Sequence, residues 1–231
     1  MGAGYAEELI EVKILPDTGR YFQMGAGYAE ELIEVKILPD TCRYFQIGAS
    51  MGGQDKVETL LLLIQNMDVF VWSPYEVPRV DPKFIVHILN VDLLFPPKKQ
   101  KPRRSAREHI EAIKSKVQKL KEVRVTREIY FPKWLVNTEV VKKKNSKWRV
   151  CVDFTDLNRA CPKDPFPMPK IDQLVDSMYR HPRMSFLDAF QGYHQIALAP
   201  KDREKTTFIS LDANYHYAMM PFGLKNAGAN Y

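Results

Sequence analysis

Between Ser105 and Val123 the apolar residues Ile110, Ile113, Val117 and Leu120 recur at helical spacing and leave the lysines on the opposite side. Ser105 predicts the N-cap of that helix, with Glu108 three residues later as its capping-box partner. A second amphipathic helix is expected over Gln54–Met67 and another near 170–179. Short alternating or apolar runs at 127–131, 136–143, 147–154, 183–188, 206–210 and 214–219 predict strands. Residues 68–78 read as a strand entering a Pro-rich turn, 81–97 as extended, and 96–104 as a basic, Pro-broken linker. In the 147–154 strand Trp148, Val150, Val152 and Phe154 alternate onto the face expected to be core. Lys147, Arg149, Cys151 and Asp153 share the other face. Helices and strands mixed without a regular βαβ rhythm predict an α+β fold.

The first 46 residues are one segment written twice. Residues 1–23 recur as 24–46, differing only where Gly19 becomes Cys42. Two near-identical copies are too few for a solenoid, which needs three or more units to bury a shared core. The region 1–46 is expected to be weakly ordered, 47–96 to hold a helix and an extended linker, and 97–231 to form the main domain. Asp17-Thr18-Gly19 looks like an aspartic-protease triplet, but the second copy loses the glycine, and that chemistry needs two carboxylates sharing a proton. The longest unbroken apolar run, Leu60–Ile64, is far short of a membrane span. The opening acids Glu7, Glu8 and Glu11 argue against a secretion signal, so an intracellular location, cytoplasmic or nuclear, is expected. Three cysteines without C-x-x-C spacing argue against a disulfide framework and a zinc site.

Charge sharpens this picture. Residues 97–149 hold 18 Lys and Arg against 5 Asp and Glu, a local excess of 13 in a chain of net charge +6. Such a stretch attracts a polyanion by counterion release, or is simply a solvated face. At 140–154 two strands flank the turn-forming pair Asn145-Ser146, so Lys142, Lys143, Lys144, Lys147 and Arg149 cluster near a hairpin tip suited to a triphosphate. Ser185-Phe186-Leu187-Asp188 ends a strand on a carboxylate, the ligand type a hard cation such as Mg²⁺ takes. Tyr193 follows the turn at Gly192, where a ring can exclude a 2′-hydroxyl by steric clash. Around Pro221, Phe222 and Gly223 a strand breaks into a loop that lets backbone approach a base pair closely and is expected to restart as a helix.

Taken in order, "WSPYEVP", "REIYFPKWLVNTEVVKKKNSKWRVCVDFTDLNRACPKDPFPMPKIDQLVD", "MSFLDAFQGYHQIALAP", "EKTTF" and "MPFGLKNAG" resemble the reverse transcriptase of gypsy-type LTR retrotransposon polyproteins, plant copies in particular. The resemblance covers roughly residues 47–231. It implies the fingers and part of the palm of a right-hand polymerase, with an incomplete antiparallel palm sheet, an RNA or DNA template-primer and dNTPs as partners, and two Mg²⁺ ions. It implies that Asp188 is a catalytic metal ligand and Tyr193 the steric gate. Lys143 and Arg149 would contact the triphosphate, the choice among Lys142, Lys143 and Lys144 staying open. Phe222 and Gly223 would form the loop against nucleotide and template, and Lys142, Lys144 and Lys147 would meet nucleic acid.

The resemblance also implies further carboxylates in a Tyr-x-Asp-Asp hairpin after the Pro-Phe-Gly loop, and these 231 residues contain no Asp-Asp pair. Two-metal catalysis needs more than one carboxylate, so this polypeptide is expected to be a truncated polymerase without activity. The alternative is a non-catalytic nucleic-acid binder. Ser146 and Arg124 stand where the family has glycine, and Ala218 where it has a basic residue. Each is expected to weaken its local turn or contact.

Overall fold

The computed structural model describes residues 8–11, 32–37, 43–143, 146–165, 170–178, 183–186 and 189–230. The chain splits into two compact units, Met1–Val77 with Pro167–Phe190, and Pro78–Phe166 with Gln191–Tyr231. In chain order the first elements are β1 (Glu8–Glu11), β2 (Leu32–Lys36), β3 (Tyr44–Gly48), α1 (Gly53–Gln65), β4 (Val86–His87) and α2 (Arg107–Glu122). They are followed by β5 (Thr126–Ile129), β6 (Thr138–Lys142), β7 (Trp148–Val152), α3 (Thr155–Ala160) and α4 (Ile171–Met178). The last are β8 (Arg183–Phe186), β9 (Ala197–Leu198), α5 (Pro200–Arg203), β10 (Phe208–Ile209) and β11 (Asn214–Tyr217).

In the first unit the two copies of the duplicated segment use the same Leu-Ile-Glu stretch differently. Leu9–Glu11 lies in β1, which pairs in parallel with β8, whereas Leu32–Glu34 lies in β2, antiparallel to β3. Phe45 and Ile47 of β3 are fully buried against Met51 and Leu63. The expected strand at 68–78 is absent. Residues 67–69 form a 3-10 turn, and the rings of Phe70 and Trp72 pack on Phe45 at 5.4 and 5.6 Å between centroids. The apolar residues there are satisfied by an aromatic cluster rather than a ladder. The Asp17 triplet and Cys42 lie outside the described residues.

The second unit is built on a core of Ile113, Val117 and Leu120 from α2 with Val125, Val136, Phe154, Leu157, Phe208 and Tyr215. The three-stranded sheet has the order β10-β11-β5, both pairs antiparallel. β6 and β7 form a hairpin, and β4 pairs in parallel with β9. Asp202, 1% exposed, accepts the backbone N–H of Leu89 at 3.0 Å and the Lys205 ammonium at 2.5 Å. That pairing lets a carboxylate sit inside the unit without an uncompensated charge.

Several local expectations change. α2 starts at Arg107 with Ala106 as its cap and no side-chain capping bond. Ser105 lies one residue too early, which puts Glu108 out of capping-box phase. The 206–210 strand shortens to Phe208–Ile209, because the Thr206 and Thr207 hydroxyls donate back to the carbonyls of Arg203 and Glu204 and hold a 3-10 turn. Residues 81–97 turn at Asp81 and again at Asp92, where the carboxylates accept the N–H groups of Lys83 and Leu94. No helix restarts after Gly223; residues 228–230 form a single 3-10 turn.

The basic linker is docked. Gln100 donates its N–H to Leu135, Arg103 reaches Glu139 at 2.8 Å and Asp153 at 3.4 Å, and Lys98 lies 3.6 Å from Asp156. Part of the local positive charge is therefore neutralised within the unit.

α2 ends in a Schellman arrangement. Val125 donates to the Leu120 carbonyl and Arg124 to that of Lys121, both at 2.9 Å, while Leu120 and Val125 are buried together. Arg124 therefore sits at φ 55°, a conformation that suits glycine. Arg79 donates to the Val123 carbonyl at 2.8 Å and completes the helix end. Arg124→Gly is expected to raise stability by about 0.5–1 kcal/mol in urea unfolding. A lower unfolding midpoint in the variant would contradict this account of the helix end.

Candidate nucleotide-binding site

The β6–β7 hairpin closes through Lys143, whose N–H donates to the Lys147 carbonyl at 2.9 Å, and Ser146, whose N–H donates to the Lys143 carbonyl at 3.0 Å. Ser146 lies at φ 62°, the left-handed conformation for which glycine is suited. The register sets Val141 opposite Arg149 and Lys142 opposite Trp148. The Lys142 ammonium lies 5.8 Å from the Trp148 ring centroid, and His109 of α2 meets the same ring edge-on at 4.8 Å. Lys142, Lys143, Lys147 and Arg149 are exposed. Lys144 and Asn145 lie outside the described residues.

Two turns along α2 from His109, on the same face, stands Lys116. Its side chain reaches solvent, yet partial desolvation and repulsion from Lys119, Lys143 and Arg149 hold its ammonium below the ordinary lysine range. Among the described residues no carboxylate pairs with Lys116, Lys143 or Arg149, unlike Lys98 and Arg103. Like charges brought together without a counter-charge form a site for an anion.

Tyr193 and Phe222 meet beside a short backbone pairing. Ala197 bridges Met219 in antiparallel fashion, Leu198 donates to the Ala218 carbonyl and Met220 to that of Ile196. Directly beyond that pairing, residues 192–195 form a 3-10 turn and 222–223 a second turn, which bring their rings together. The Tyr193 and Phe222 rings stand edge to face at 4.7 Å, and His194 meets Phe222 at 5.4 Å. Phe222 remains 52% exposed, so its ring is available to a ligand. Gly223 lies at φ 93°, and a Cβ there would touch the Phe154 ring at 3.7 Å. Only a residue without a side chain adopts this turn without strain.

Asn158 of α3 straddles the same loop. Its Nδ2 donates to the Gly223 carbonyl and its Oδ1 accepts the Lys225 N–H, both at 2.8 Å. Those bonds tie the loop to α3, and residues 225–226 turn without entering a helix. His194 is buried, its Nδ1 3.2 Å from the Gln191 side-chain oxygen. Burial, with repulsion from Lys116, pushes its imidazole down to about 4.

Asp188 lies outside the described residues, as does Leu187. Among the described residues no group of three or more His, Cys, Asp or Glu could hold a metal ion. The sequence analysis missed Asn158, Lys116 and His194. Lys116 reads as one more outward lysine, and Asn158 carries only the signal of an amide at the end of a short helix.

A sequence profile described as reverse transcriptase (RNA-dependent DNA polymerase) matches residues 141–231, a stretch that holds Arg149, the ring pair and the Gly223 loop. The Pol polyprotein of transposon 412 from Drosophila melanogaster is 34% identical over 130 residues, 54% of this chain and 10% of the relative. The chain carries a reverse transcriptase region of the retrotransposon Pol type. The gypsy Pol polyprotein of the same fly is 36% identical over 99 residues, 42% of this chain and 10% of its own length. An RNA-directed DNA polymerase homolog from Oenothera berteroana is 34% identical over 83 residues, 36% of this chain and 58% of the relative. The chain thus spans about a tenth of the fly polyproteins. Two foamy viral protease–reverse transcriptase structures, one from prototype foamy virus and one a complex with an RNA/DNA hybrid, superpose with a TM-score of 0.63. They cover 79% of this chain and 24% of theirs, at 15% and 14% identity, which establishes the α+β reverse transcriptase fold. Reverse transcriptases as a family use divalent metal ions. No helix among the described residues is long and apolar enough to cross a membrane.

The imidazole of His194 sets a pH dependence. Its folded value lies below the unfolded value of 6.5, so the unfolded state binds the proton more readily. Stability is complete above that range, falls as pH drops through it and levels off below about 4, a loss of about 3 kcal/mol at most. Urea unfolding at pH 7 and pH 4.5 is expected to show a smaller acid loss in His194→Gln than in the wild type. Equal losses would contradict this assignment.

Proposed function

We propose that this region binds an incoming deoxynucleoside triphosphate and a template-primer as part of an RNA-directed DNA polymerase. The observation that carries the reading is the edge-to-face pair of Tyr193 and Phe222 on a fixed glycine loop, in the same compact unit as the exposed cations Lys143 and Arg149 of the β6–β7 hairpin. Arg149, with its planar fork, and Lys143 neutralise the triphosphate, and Lys116 adds a third cation from α2. Phe222 and Gly223 offer a flat ring and bare backbone to the base and template. Tyr193, buttressed by Phe222, excludes a 2′-hydroxyl sterically. Lys142, Lys144 and Lys147 at the hairpin tip hold nucleic acid through its phosphates.

Asp188 is the proposed ligand for Mg²⁺, the ion that would stabilise the oxygens exchanged at phosphorus in nucleotidyl transfer to a primer 3′-hydroxyl. The 231 residues hold no Asp-Asp pair to complete such a site. This polypeptide by itself is therefore expected to bind and not to extend. Both duplex DNA and an RNA/DNA hybrid occur in complexes of the solved structural relatives, which supports a template-primer as the partner.

Fluorescence anisotropy with labelled poly(rA)/oligo(dT) tests the reading. Wild-type chain is expected to bind in low salt, and the triple variant Lys142→Ala, Lys143→Ala, Arg149→Ala to bind at least about tenfold more weakly with a shallower salt slope. Unchanged binding in the variant would sink the site. Mg²⁺-dependent primer extension by the 231-residue chain, lost in Asp188→Ala, would overturn the expectation of inactivity.

A further inference from the structure

Asn158 occupies an unusual position between the two halves of the site. It stands on α3, just after the strand that carries Arg149, and only Asp153, Phe154 and the first residues of α3 separate it from β7. From there one side-chain amide holds both sides of Gly223, donating to the Gly223 carbonyl and accepting from the Lys225 N–H. Lys225 returns the contact, its ammonium reaching the carbonyls of Asn158 at 3.4 Å and Cys161 at 3.2 Å. Beneath the loop lies the Phe154 ring, and beyond it the chain is tied down again where Asn226 donates to the Leu89 carbonyl at 2.9 Å. Phe222 itself makes ring contacts with Tyr193 and His194 and is otherwise half exposed.

The loop that carries Phe222 is thus held on one side by the 196–198 backbone pairing and at Gly223 by the Asn158 amide, with Lys225 and Asn226 tying down the chain beyond it. We infer that Asn158 is a positioning residue that fixes Phe222 against Tyr193, and so fixes how strictly the site prefers a 2′-deoxynucleotide over a ribonucleotide. The selectivity half of this inference rests on the nucleotide reading above; the clamp itself does not. Tyr193 can exclude a hydroxyl only if its ring is stopped from yielding, and Phe222 is the ring edge-on to it. Release of the Gly223 loop frees Phe222 to move and lets Tyr193 give way. An amide is the only uncharged side chain of this length that both donates and accepts. Aspartate keeps the acceptor and loses the donor, whereas alanine loses both.

The full 231-residue chain tests this in three forms, wild type, Asn158→Ala and Asn158→Asp. Hydrogen exchange by mass spectrometry reads the Lys225 amide against amides of α2. In Asn158→Ala the Lys225 amide is expected to exchange at least about tenfold faster with α2 unchanged, and in Asn158→Asp to stay protected. Unchanged Lys225 exchange in the alanine variant, or a uniform rise across α2 and the loop, would overturn the clamp. Displacement of a fluorescent mant-dATP probe by dATP or ATP in Mg²⁺ reads selectivity. The wild type is expected to prefer dATP, and the preference is expected to shrink toward unity in Asn158→Ala while overall unfolding shifts little. A preserved dATP preference in a variant with a freed loop would overturn the positioning role. Failure of the wild type to bind either nucleotide would instead sink the nucleotide reading, with the exchange result still deciding the clamp.

Discussion

Two backbone hydrogen bonds between residues 196–198 and 218–220 determine where the second unit puts its chemistry. They are short, and no strand longer than two residues takes part on the 196–198 side. Yet they place the 3-10 turn at 192–195 beside the turn at 222–223, so that Tyr193 and His194 meet the Phe222 ring edge-on. The Gly223 turn ends the pairing, and the Asn158 amide holds that turn in place. The exposed ring of Phe222 is what this sequence of constraints leaves over.

Charge is organised by the same economy of contacts. The basic stretch from 97 to 149 looks uniform in sequence but divides in space. Its first part lies along Leu135–Asn137, where Lys98 and Arg103 find Asp156, Asp153 and Glu139. Exposed pairs of this kind add little stability, and their main effect is to remove those cations from the field that an approaching polyanion feels. Lys116, Lys143 and Arg149, later in the stretch, have no carboxylate partner among the described residues and retain their pull. Net charge alone would have assigned both parts the same role.

The sequence made the helix over 107–122, the β6–β7 hairpin and the family resemblance legible, since each rests on local periodicity or on contiguous words. It read Tyr193, Phe222, Lys143 and Arg149 singly, without showing that the two rings touch. Long-range placement was not legible. Asn158 matters because of a loop about 65 residues away, and no local pattern announces that. The strand expected at 68–78 failed for the same reason, since apolar alternation cannot tell a ladder from an aromatic cluster around Phe45. Arg124 and Ser146 show the converse. Both occupy left-handed conformations that suit glycine, so the fold imposed the backbone geometry on residues poorly suited to it.

The central claim is that the hairpin cations and the Tyr193–Phe222 pair belong to one nucleotide site. Photocrosslinking of the 231-residue chain with 8-azido-dATP, followed by peptide mapping, tests it most directly. The account predicts adducts within 190–195 and 220–224, suppressed by excess dATP and lost in Arg149→Ala. Adducts confined to the 98–104 stretch, or labelling indifferent to Arg149, would contradict it.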